Sequence, residues 1–263
     1  MITNRTYGID ADVIAYQARL TAGGVQALNP NALRKLNQFV IGLKKLNVWG
    51  LITDIWLSGS EYNAISGAVT YALKSGTNNA TLFTPYSFTT KGLSFTNNGR
   101  LVTPSYTLWT PMTIWCIANT KSTTVSTNTL LYAESYLTNG FRAGFNSDFS
   151  ISFHTGESGG NIGLGFNPNT PTPYVLNQYY NIFFGVNSSK AYLYVNNNKT
   201  SSTSSKTMNT RTTTLPFGQA GGGKANLNGD LPFVCVAQRD IEPYYDDLYK
   251  LVKSTVGGDL GLP

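Results

Sequence analysis

From about residue 80 onward, the sequence alternates short apolar runs with clusters of turn-forming residues. The runs are rich in aromatic and β-branched residues, and Gly, Asn, Ser and Pro separate them. This pattern predicts many short antiparallel strands, so the chain is expected to be mainly β, an antiparallel β-sandwich. The strand-like runs are Met112–Ala118, Leu130–Glu134, Phe141–Phe145, Phe149–His154, Tyr179–Val186, Ala191–Val195 and Leu231–Ala237.

Two pairs of runs are predicted to form hairpins. The first occupies residues 93–102 and turns at the Asn-Asn-Gly sequence of 97–99, because Asn-Gly favours the tight turns of hairpins. The second joins the run Tyr179–Val186 to the run Ala191–Val195 through a short polar connection. Both predictions place neighbouring strands of the chain side by side in one sheet.

The N-terminal part of the chain is predicted to hold two helices. Asp10 or Asp12 can cap the first helix, which continues to Leu20 and stops at a pair of glycines. Asn29 followed by Pro30 is a good N-cap and first turn for the second helix, which is predicted to end near residue 46. Within this helix the apolar residues recur every three or four positions, as on one face of a helix.

These elements divide the chain into two predicted parts. Residues 1–60 are expected to be a helical N-terminal extension, and residues 61–263 a β-sandwich that ends in a helix over 244–253. The apolar stripe of the second helix must pack on something. Packing on the sandwich of its own chain is the favoured interpretation. Docking on a partner is the alternative, and the extension would then serve as an anchor.

The surface is predicted to be polar but weakly charged. Charged residues make up 12% of the chain, about half of the ~25% that is usual. Lys and Arg are scattered, with no basic stripe between aromatic residues, so no nucleic-acid partner is predicted. No apolar run is long enough to cross a membrane, and the N-terminus lacks the pattern of a signal peptide. We therefore expect a protein that is made in a cytoplasm and is not secreted.

Residues that could bind a metal or act as nucleophiles are few. Cys116 and Cys235 each lie within an apolar run and are predicted to be buried hydrophobic residues. His154 is the only imidazole, and its position predicts an exposed strand end, opposite in phase to the apolar residues. Two cysteines and one histidine cannot complete a zinc site, so neither a metal nor a cofactor is predicted.

Carboxylates are also scarce in the strand-rich region. Between residues 62 and 229 only Glu134, Asp148 and Glu157 occur. Glycoside hydrolysis normally requires two carboxyl groups on either side of the scissile bond, and no paired motif is present. The chain is therefore predicted not to be an enzyme, with a hydrolase that uses an unconventional pair as a minor alternative.

The remaining class of function is binding. Aromatic rings beside amides and Arg are the usual equipment for contacting sugars, because a ring stacks on the apolar sugar face and the amides bond its hydroxyls. Four residues in predicted loops or strand ends combine these properties, and they are predicted to form a ligand site. They are Tyr136, Arg142, Asn146 and Tyr174.

Three parts of the chain resemble concanavalin A-like, laminin-G-type jelly rolls. The segment Gly92–Val102 is similar to their opening strands, although Asn97 stands where Gly is usual and Leu101-Val102 replace a Tyr-Leu pair. The other two parts are similar to the central hairpin and to the closing strand with its helical turn. They are Asn177–Val186 with Ala191–Asn196, and Phe233–Gln238 with Tyr244–Lys253.

The N-terminal part resembles the short helical preface that precedes such a jelly roll in structural proteins of tailed phages. The similar segments are Asp12–Ala18, Leu28–Pro30 and Leu33–Trp49. The resemblance implies a multi-copy virion protein, either a capsid decoration or a tail or fibre component, with other virion proteins as partners. It implies affinity for host surface carbohydrate as well, and no catalytic residues. The alternative is a carbohydrate-binding adhesin module that recognises host glycans.

Overall fold

The structure is a computed structural model, and most of the chain is described below. The described residues are 8–58, 61–62, 65–89, 91–96, 99–108, 110–122, 127–133, 141–146, 150–157, 160–166, 174–202, 211–218 and 225–263.

Three α-helices lie close to the ends of the chain. Helix α1 spans Ala11–Ala22, helix α2 Pro30–Lys45 and helix α3 Tyr245–Ser254. The Asp10 carboxylate accepts the backbone N–H of Asp12 and caps α1. The Asn29 side chain accepts two backbone N–H groups at the start of α2. The predicted N-terminal helices and their caps are therefore confirmed.

Short 3₁₀ turns at Glu242–Tyr244 and Gly258–Leu260 flank α3. The strands are numbered along the chain in the order in which they occur. The first ten are β1 Asp54–Leu57, β2 Ile65–Ser66, β3 Val69–Thr70, β4 Ala80–Phe83, β5 Tyr86–Thr89, β6 Gly92–Phe95, β7 Arg100–Val102, β8 Tyr106–Leu108, β9 Met112–Ala118 and β10 Thr127–Ala133. The others are β11 Phe141–Asn146, β12 Ile151–Glu157, β13 Gly160–Phe166, β14 Tyr180–Val186, β15 Ala191–Val195, β16 Asn198–Ser201, β17 Arg211–Thr213, β18 Pro216–Phe217, β19 Ala225–Asn226, β20 Gly229–Asp230 and β21 Phe233–Ala237.

Two large sheets form the sandwich within the described part of the chain. The first has six strands in the order β1-β21-β9-β14-β15-β16. The second runs β13-β12-β11-β10-β18-β7-β4-β3-β2, with β19 paired in parallel to β10. Strands β20, β6 and β5 form a smaller sheet, and β17 pairs with β8. Apart from β19, every pairing is antiparallel, as the sequence predicted.

Apart from its exposed edge strand β16, the six-stranded sheet is buried on both faces. Every residue of β9, β14, β15 and β21 is buried. One face lies against the second sheet and the other lies under the three helices, as the two apolar clusters show. A strand with two buried faces needs apolar residues at every position. This double burial explains why these strands are continuous apolar runs rather than alternating ones.

The two cysteines lie on opposite faces of this sheet. Cys116 of β9 is buried between the two sheets, whereas Cys235 of β21 is buried under the helices. Both are free thiols, and burial raises the pKa of each above its ordinary value. The prediction that both behave as buried hydrophobic residues is confirmed.

Helix α2 packs on the sheet of its own chain through a cluster of aromatic rings. Phe39 is completely buried, with its ring centroid 6.1 Å from that of Trp115 and 5.9 Å from that of Phe233. Helix α3 adds Tyr245, whose centroid is 5.0 Å from that of Phe183. The favoured interpretation of the α2 stripe, packing on its own sandwich, is confirmed.

The division of the chain at residue 60 stays a prediction, but two observations bear on it. Strand β1 lies on the N-terminal side of this boundary and pairs along its whole length with β21, the C-terminal strand. Helices α1 and α2 cover a face of the same sheet that would otherwise expose buried side chains. The residues before 60 therefore contribute to the same core as the sandwich.

The predicted hairpin over residues 93–102 is wrong, although both of its strands exist. Strand β6 pairs with β5 and β20, whereas β7 pairs with β4 and β18, so the two strands belong to different sheets. The chain crosses from one sheet to the other between Phe95 and Arg100. Asn97 and Asn98 lie outside the described residues. The hairpin predicted between Tyr179–Val186 and Ala191–Val195 is confirmed, and its strands are β14 and β15.

Candidate functional site

Two of the four predicted site residues lie on strand β11. Ala143 and Phe145 of this strand enter the core between the sheets, so Arg142 and Asn146 alternate to its outer face. Arg142 is buried, and its register partner on β12 is His154. Tyr136 lies outside the described residues. The proposed grouping of these residues into one ligand site stays a prediction.

Asn146 and Tyr174 have packing contacts that account for their positions. The Asn146 amide donates to the Ser150 hydroxyl over 2.8 Å and closes the connection between β11 and β12. The Tyr174 hydroxyl donates to the backbone carbonyl of Asn146 over 2.7 Å, and its ring packs on Phe145. Only 3% of Tyr174 is exposed. The Tyr174 ring is therefore part of the core, and its role in a ligand site stays a prediction.

His154 lies in the middle of β12 rather than at a strand end. The strand continues to Glu157, and His154 is half-buried. Its phase is as predicted, because Ile151 and Phe153 enter the core and His154 alternates to the outer face. Gly163 of β13 stands opposite it in the register. The strand end was misplaced because the residues after His154 carry no apolar signal.

The described residues contain no cluster of three or more His, Cys, Asp or Glu side chains that could hold a metal ion. Glu134 and Asp148 lie outside the described part of the chain, and Glu157 ends strand β12. No helix within the described ranges is long and apolar enough to cross a membrane.

One buried carboxylate has a strongly perturbed pKa. Asp54 of β1 is completely buried, and burial raises its pKa from 3.8 to about 6. Its Oδ1 accepts the backbone N–H groups of Ile55 over 2.9 Å and Lys74 over 3.1 Å, which lower the pKa only in part. Perturbed carboxylates often mark active sites. Asp54 is sealed from solvent, so its environment affects stability rather than a bound substrate.

A second buried carboxylate is neutralised by its neighbours. Asp230 of β20 accepts hydrogen bonds from the Lys121 ammonium over 2.6 Å, the Asn119 amide over 3.1 Å and the Tyr179 hydroxyl over 2.7 Å. Lys121 also donates to Ser94 of β6. Loss of one partner from such a network is costly, because it leaves a buried charge uncompensated. The network ties the small sheet to β9 and has a structural role.

The exposed group best suited to binding is a set of aromatic rings where β4 passes into β5. Phe83 is 39% exposed and Phe88 is 49% exposed, and Tyr86 between them is half-buried. The centroids of Tyr86 and Phe88 are 5.6 Å apart, and the two rings meet edge to face. The Tyr86 hydroxyl donates to the carbonyl of Gly67 over 3.1 Å. These three rings are called the aromatic platform.

Arg100 lies beside the aromatic platform. It is the register partner of Phe83 on the neighbouring strand β7, and its guanidinium carbon is 4.3 Å from the Phe83 centroid. The preceding residue, Gly99, brings the start of β7 against the turn that follows β4. A Cβ atom on Gly99 would lie 1.8 Å from the carbonyl oxygen of Pro85, so only glycine fits this approach.

Sequence reasoning missed the aromatic platform, but a signal for it exists. Strand β4 alternates buried and exposed residues, with Leu82 in the core and Phe83 on the outside. A large apolar side chain at the exposed phase of an alternating strand is the feature to look for. Single exposed apolar residues are common on protein surfaces, whereas grouped ones mark interaction sites.

Comparison with known proteins identifies similar folds, but it assigns the chain to no family. No family model and no curated protein matches the sequence. Trypanosoma rangeli sialidase has a similar structure, with a TM-score of 0.57 and 11% identity over 88% of this chain and 40% of that chain. The binding domain of Botulinum neurotoxin serotype D has a TM-score of 0.57 and 10% identity over 76% of this chain and 50% of that one.

The likeness is one of fold. At these identities the chain shares an antiparallel, jelly-roll-like β-sandwich with its neighbours, which confirms the predicted fold class. A third similar structure, mouse laminin alpha1 chain domains LG4-5, has a TM-score of 0.44 and 16% identity over 55% of this chain and 38% of that chain. The chain spans half or less of the length of each of these structures.

Proposed function

We propose that this chain is a non-catalytic recognition module that binds carbohydrate through the aromatic platform. The observation that carries the proposal is the exposure of Phe83 and Phe88 beside the half-buried Tyr86 on the outside of a β-sandwich. Exposed rings are costly in water unless a partner covers them. The Tyr86 and Phe88 centroids are 5.6 Å apart, so one ligand can contact both rings, and Phe83 lies three residues before Tyr86.

The chemistry of the aromatic platform suits a sugar. A sugar ring has an apolar face of C–H groups that packs on an aromatic ring, and hydroxyls at its edge that require hydrogen-bonding partners. Phe83 and Phe88 offer apolar surface, and the Arg100 guanidinium, 4.3 Å from the Phe83 centroid, is a polar group at its border. Apolar surface with a few polar groups at its border is the usual composition of a small-molecule site.

The structural neighbours are compatible with this proposal. One similar structure is a sialidase in complex with sialic acid, and another is the binding domain of a neurotoxin. One fold can carry many functions, so these neighbours support the proposal less than the aromatic platform does. The proposal that the chain is not catalytic depends on the scarcity of carboxylates in its sequence.

A glycan array tests the proposal with purified wild type and two variants. We expect a saturable signal on a subset of glycans, reduced about tenfold or more in Phe83→Ala and Phe88→Ala, because aromatic side chains dominate binding energies. Val175→Ala is the matched control, since Val175 is another exposed apolar residue, 57% exposed. Absence of any signal across the array would refute the proposal. Release of free sugar from a bound glycan would contradict the non-catalytic part.

The proposed setting is the surface of a tailed-phage particle, as a capsid decoration or a tail or fibre component. This setting rests on the sequence resemblance of the helical preface and the jelly roll. Quantitative mass spectrometry of purified particles is the test. A copy number close to that of the major capsid protein favours a decoration, and a few copies favour a tail or fibre adhesin. Absence from the particles would contradict the setting.

The proposed anchor is best tested without deleting residues 1–60, because that deletion also removes β1 and the helices that cover the sheet. Ile14 lies on the outer face of α1 and is 54% exposed. Ile14→Asp should reduce particle association if α1 contacts a virion partner, while leaving the melting temperature nearly unchanged. Unaltered association of this variant would argue against an anchor on α1.

A further inference from the structure

The net positive charge of this protein comes from its strand-rich part. Residues 62–229 contain ten Lys and Arg but only three Asp and Glu, whereas the other residues contain nine and ten. Residues 62–229 therefore carry a net charge of +7 and the other residues −1, which gives the formal charge of +6. The stretch from Tyr62 to Ala133, which includes the aromatic platform, contains no carboxylate at all. Charge segregation of this kind favours partners of the opposite sign.

The carboxylates near the two ends of the chain form ion pairs on the helical side of the molecule. Lys44 pairs with Asp10 over 2.7 Å, and Lys199 pairs with Asp246 over 2.7 Å. Asp259 pairs with Lys35 of α2. Asp10 and Asp246 belong to the ends of α1 and α3, so these acidic groups lie beside the helices. The aromatic platform lies on β4 and β5, outside the six-stranded sheet that the helices cover.

Arg100 brings positive charge to the aromatic platform itself. Its guanidinium is stacked with Phe83, 4.3 Å from the ring centroid. The two residues are paired across β4 and β7. A guanidinium is planar and permanently charged, and it can bind a carboxylate through two parallel hydrogen bonds. A sugar that packs on the platform beside Phe83 would therefore meet the Arg100 guanidinium, a group that can bind a carboxylate.

We propose that the aromatic platform selects acidic polysaccharides, with a uronic acid residue as the unit recognised. The apolar face of the uronic acid packs on the exposed rings, and its carboxylate pairs with Arg100. This proposal rests on the proposed carbohydrate binding and adds the class of ligand. The net charge of +7 on residues 62–229 also attracts a polyanionic chain from a distance, so binding weakens as salt rises.

The first experiment compares acidic glycans with the same glycans after their charge has been removed. The probes are polygalacturonate, alginate and hyaluronan, each paired with its methyl ester, and the measurement is biolayer interferometry of the full chain. We expect at least one acidic form to bind ten times more tightly than its ester, because the ester keeps the ring and loses the carboxylate charge. The preference should shrink when NaCl is raised from 50 to 500 mM.

The second experiment assigns the preference to Arg100. Arg100→Gln should bind the acidic form and its ester equally, whereas Arg100→Lys keeps the charge and should retain part of the preference. Lys250→Gln is the control for loss of one positive charge, since Lys250 is exposed on α3. Thermal melting of every variant separates loss of binding from loss of folding. If Arg100→Gln fails to fold, two other variants test whether the acidic glycan binds at the platform. A reduced acid preference in Arg100→Lys and weaker binding by Phe88→Ala would place it there.

The outcomes separate the two proposals. Equal binding of acids and esters that Phe88→Ala weakens would overturn the acid preference and leave carbohydrate binding in place. Binding to no acidic or neutral glycan would overturn both. An acid preference that survives both Arg100→Gln and Phe88→Ala would show that the acidic chain binds elsewhere, and this result too would overturn the assignment to the platform.

Discussion

Replacement of Asp54 by Asn should make the stability of this protein less dependent on pH. Asp54, the first residue of β1, is completely buried, and burial raises its pKa from 3.8 to about 6. Because the folded state holds the proton more tightly than the unfolded chain, the neutral carboxyl contributes stability below about pH 4. That contribution is lost as the pH rises through about 6.

The magnitude follows from the size of the shift. A change of about 2 pKa units corresponds to about 3 kcal/mol of unfolding free energy, most of which is lost between pH 4 and pH 7.5. Asn has the shape of Asp, and its Oδ1 can still accept the N–H groups of Ile55 and Lys74. The variant keeps the hydrogen bonds and removes the charge, so it should not lose this stability as the pH rises.

The measurement is urea unfolding of wild type and Asp54→Asn at half-unit steps from pH 4 to pH 7.5. We expect the difference in unfolding free energy to move by about 2–3 kcal/mol in favour of the variant across this range. The range stops at 7.5 because burial lowers the pKa of nearby Lys74. Asp247→Asn removes an exposed carboxylate and is the control, expected to stay within about 0.5 kcal/mol. Parallel curves for wild type and Asp54→Asn would refute the reasoning.

Three further substitutions test the packing. Phe39→Ala should lower the unfolding free energy by about 3–5 kcal/mol, measured by urea unfolding, because it empties a buried ring site between α2 and the sheet; a loss below 1 kcal/mol would mean that the helix does not pack there. Asn29→Ala should cost about 1 kcal/mol through the lost cap of α2, and no change would contradict the cap. Gly99→Ala should cost about 1–3 kcal/mol and weaken glycan binding, because its Cβ would strike the Pro85 carbonyl. Unchanged melting of that variant would show that β7 does not approach the turn so closely.

The sequence by itself determined the parts of this protein that depend on neighbouring residues. The caps at Asp10 and Asn29 are local, since each bonds backbone groups two or three positions away. Helix α3 and the hairpin of β14 and β15 could likewise be predicted from short stretches of sequence. Burial of Cys116 and Cys235 could be predicted because each lies inside a continuous apolar run.

Only the tertiary structure decided which strands pair and which side chains remain exposed. The Asn-Asn-Gly sequence predicted a hairpin between β6 and β7. In the structure β7 instead pairs with β4 and β18 in the larger sheet. Tyr174 is buried by Phe145, which lies 29 positions earlier in the chain. Phe83 lies beside Arg100 because β4 pairs with β7, a strand that is distant in sequence. Alternation and capping are local properties, so they can be predicted from short stretches of sequence. Pairing and exposure are set by contacts between residues far apart, and local sequence patterns do not reveal those contacts.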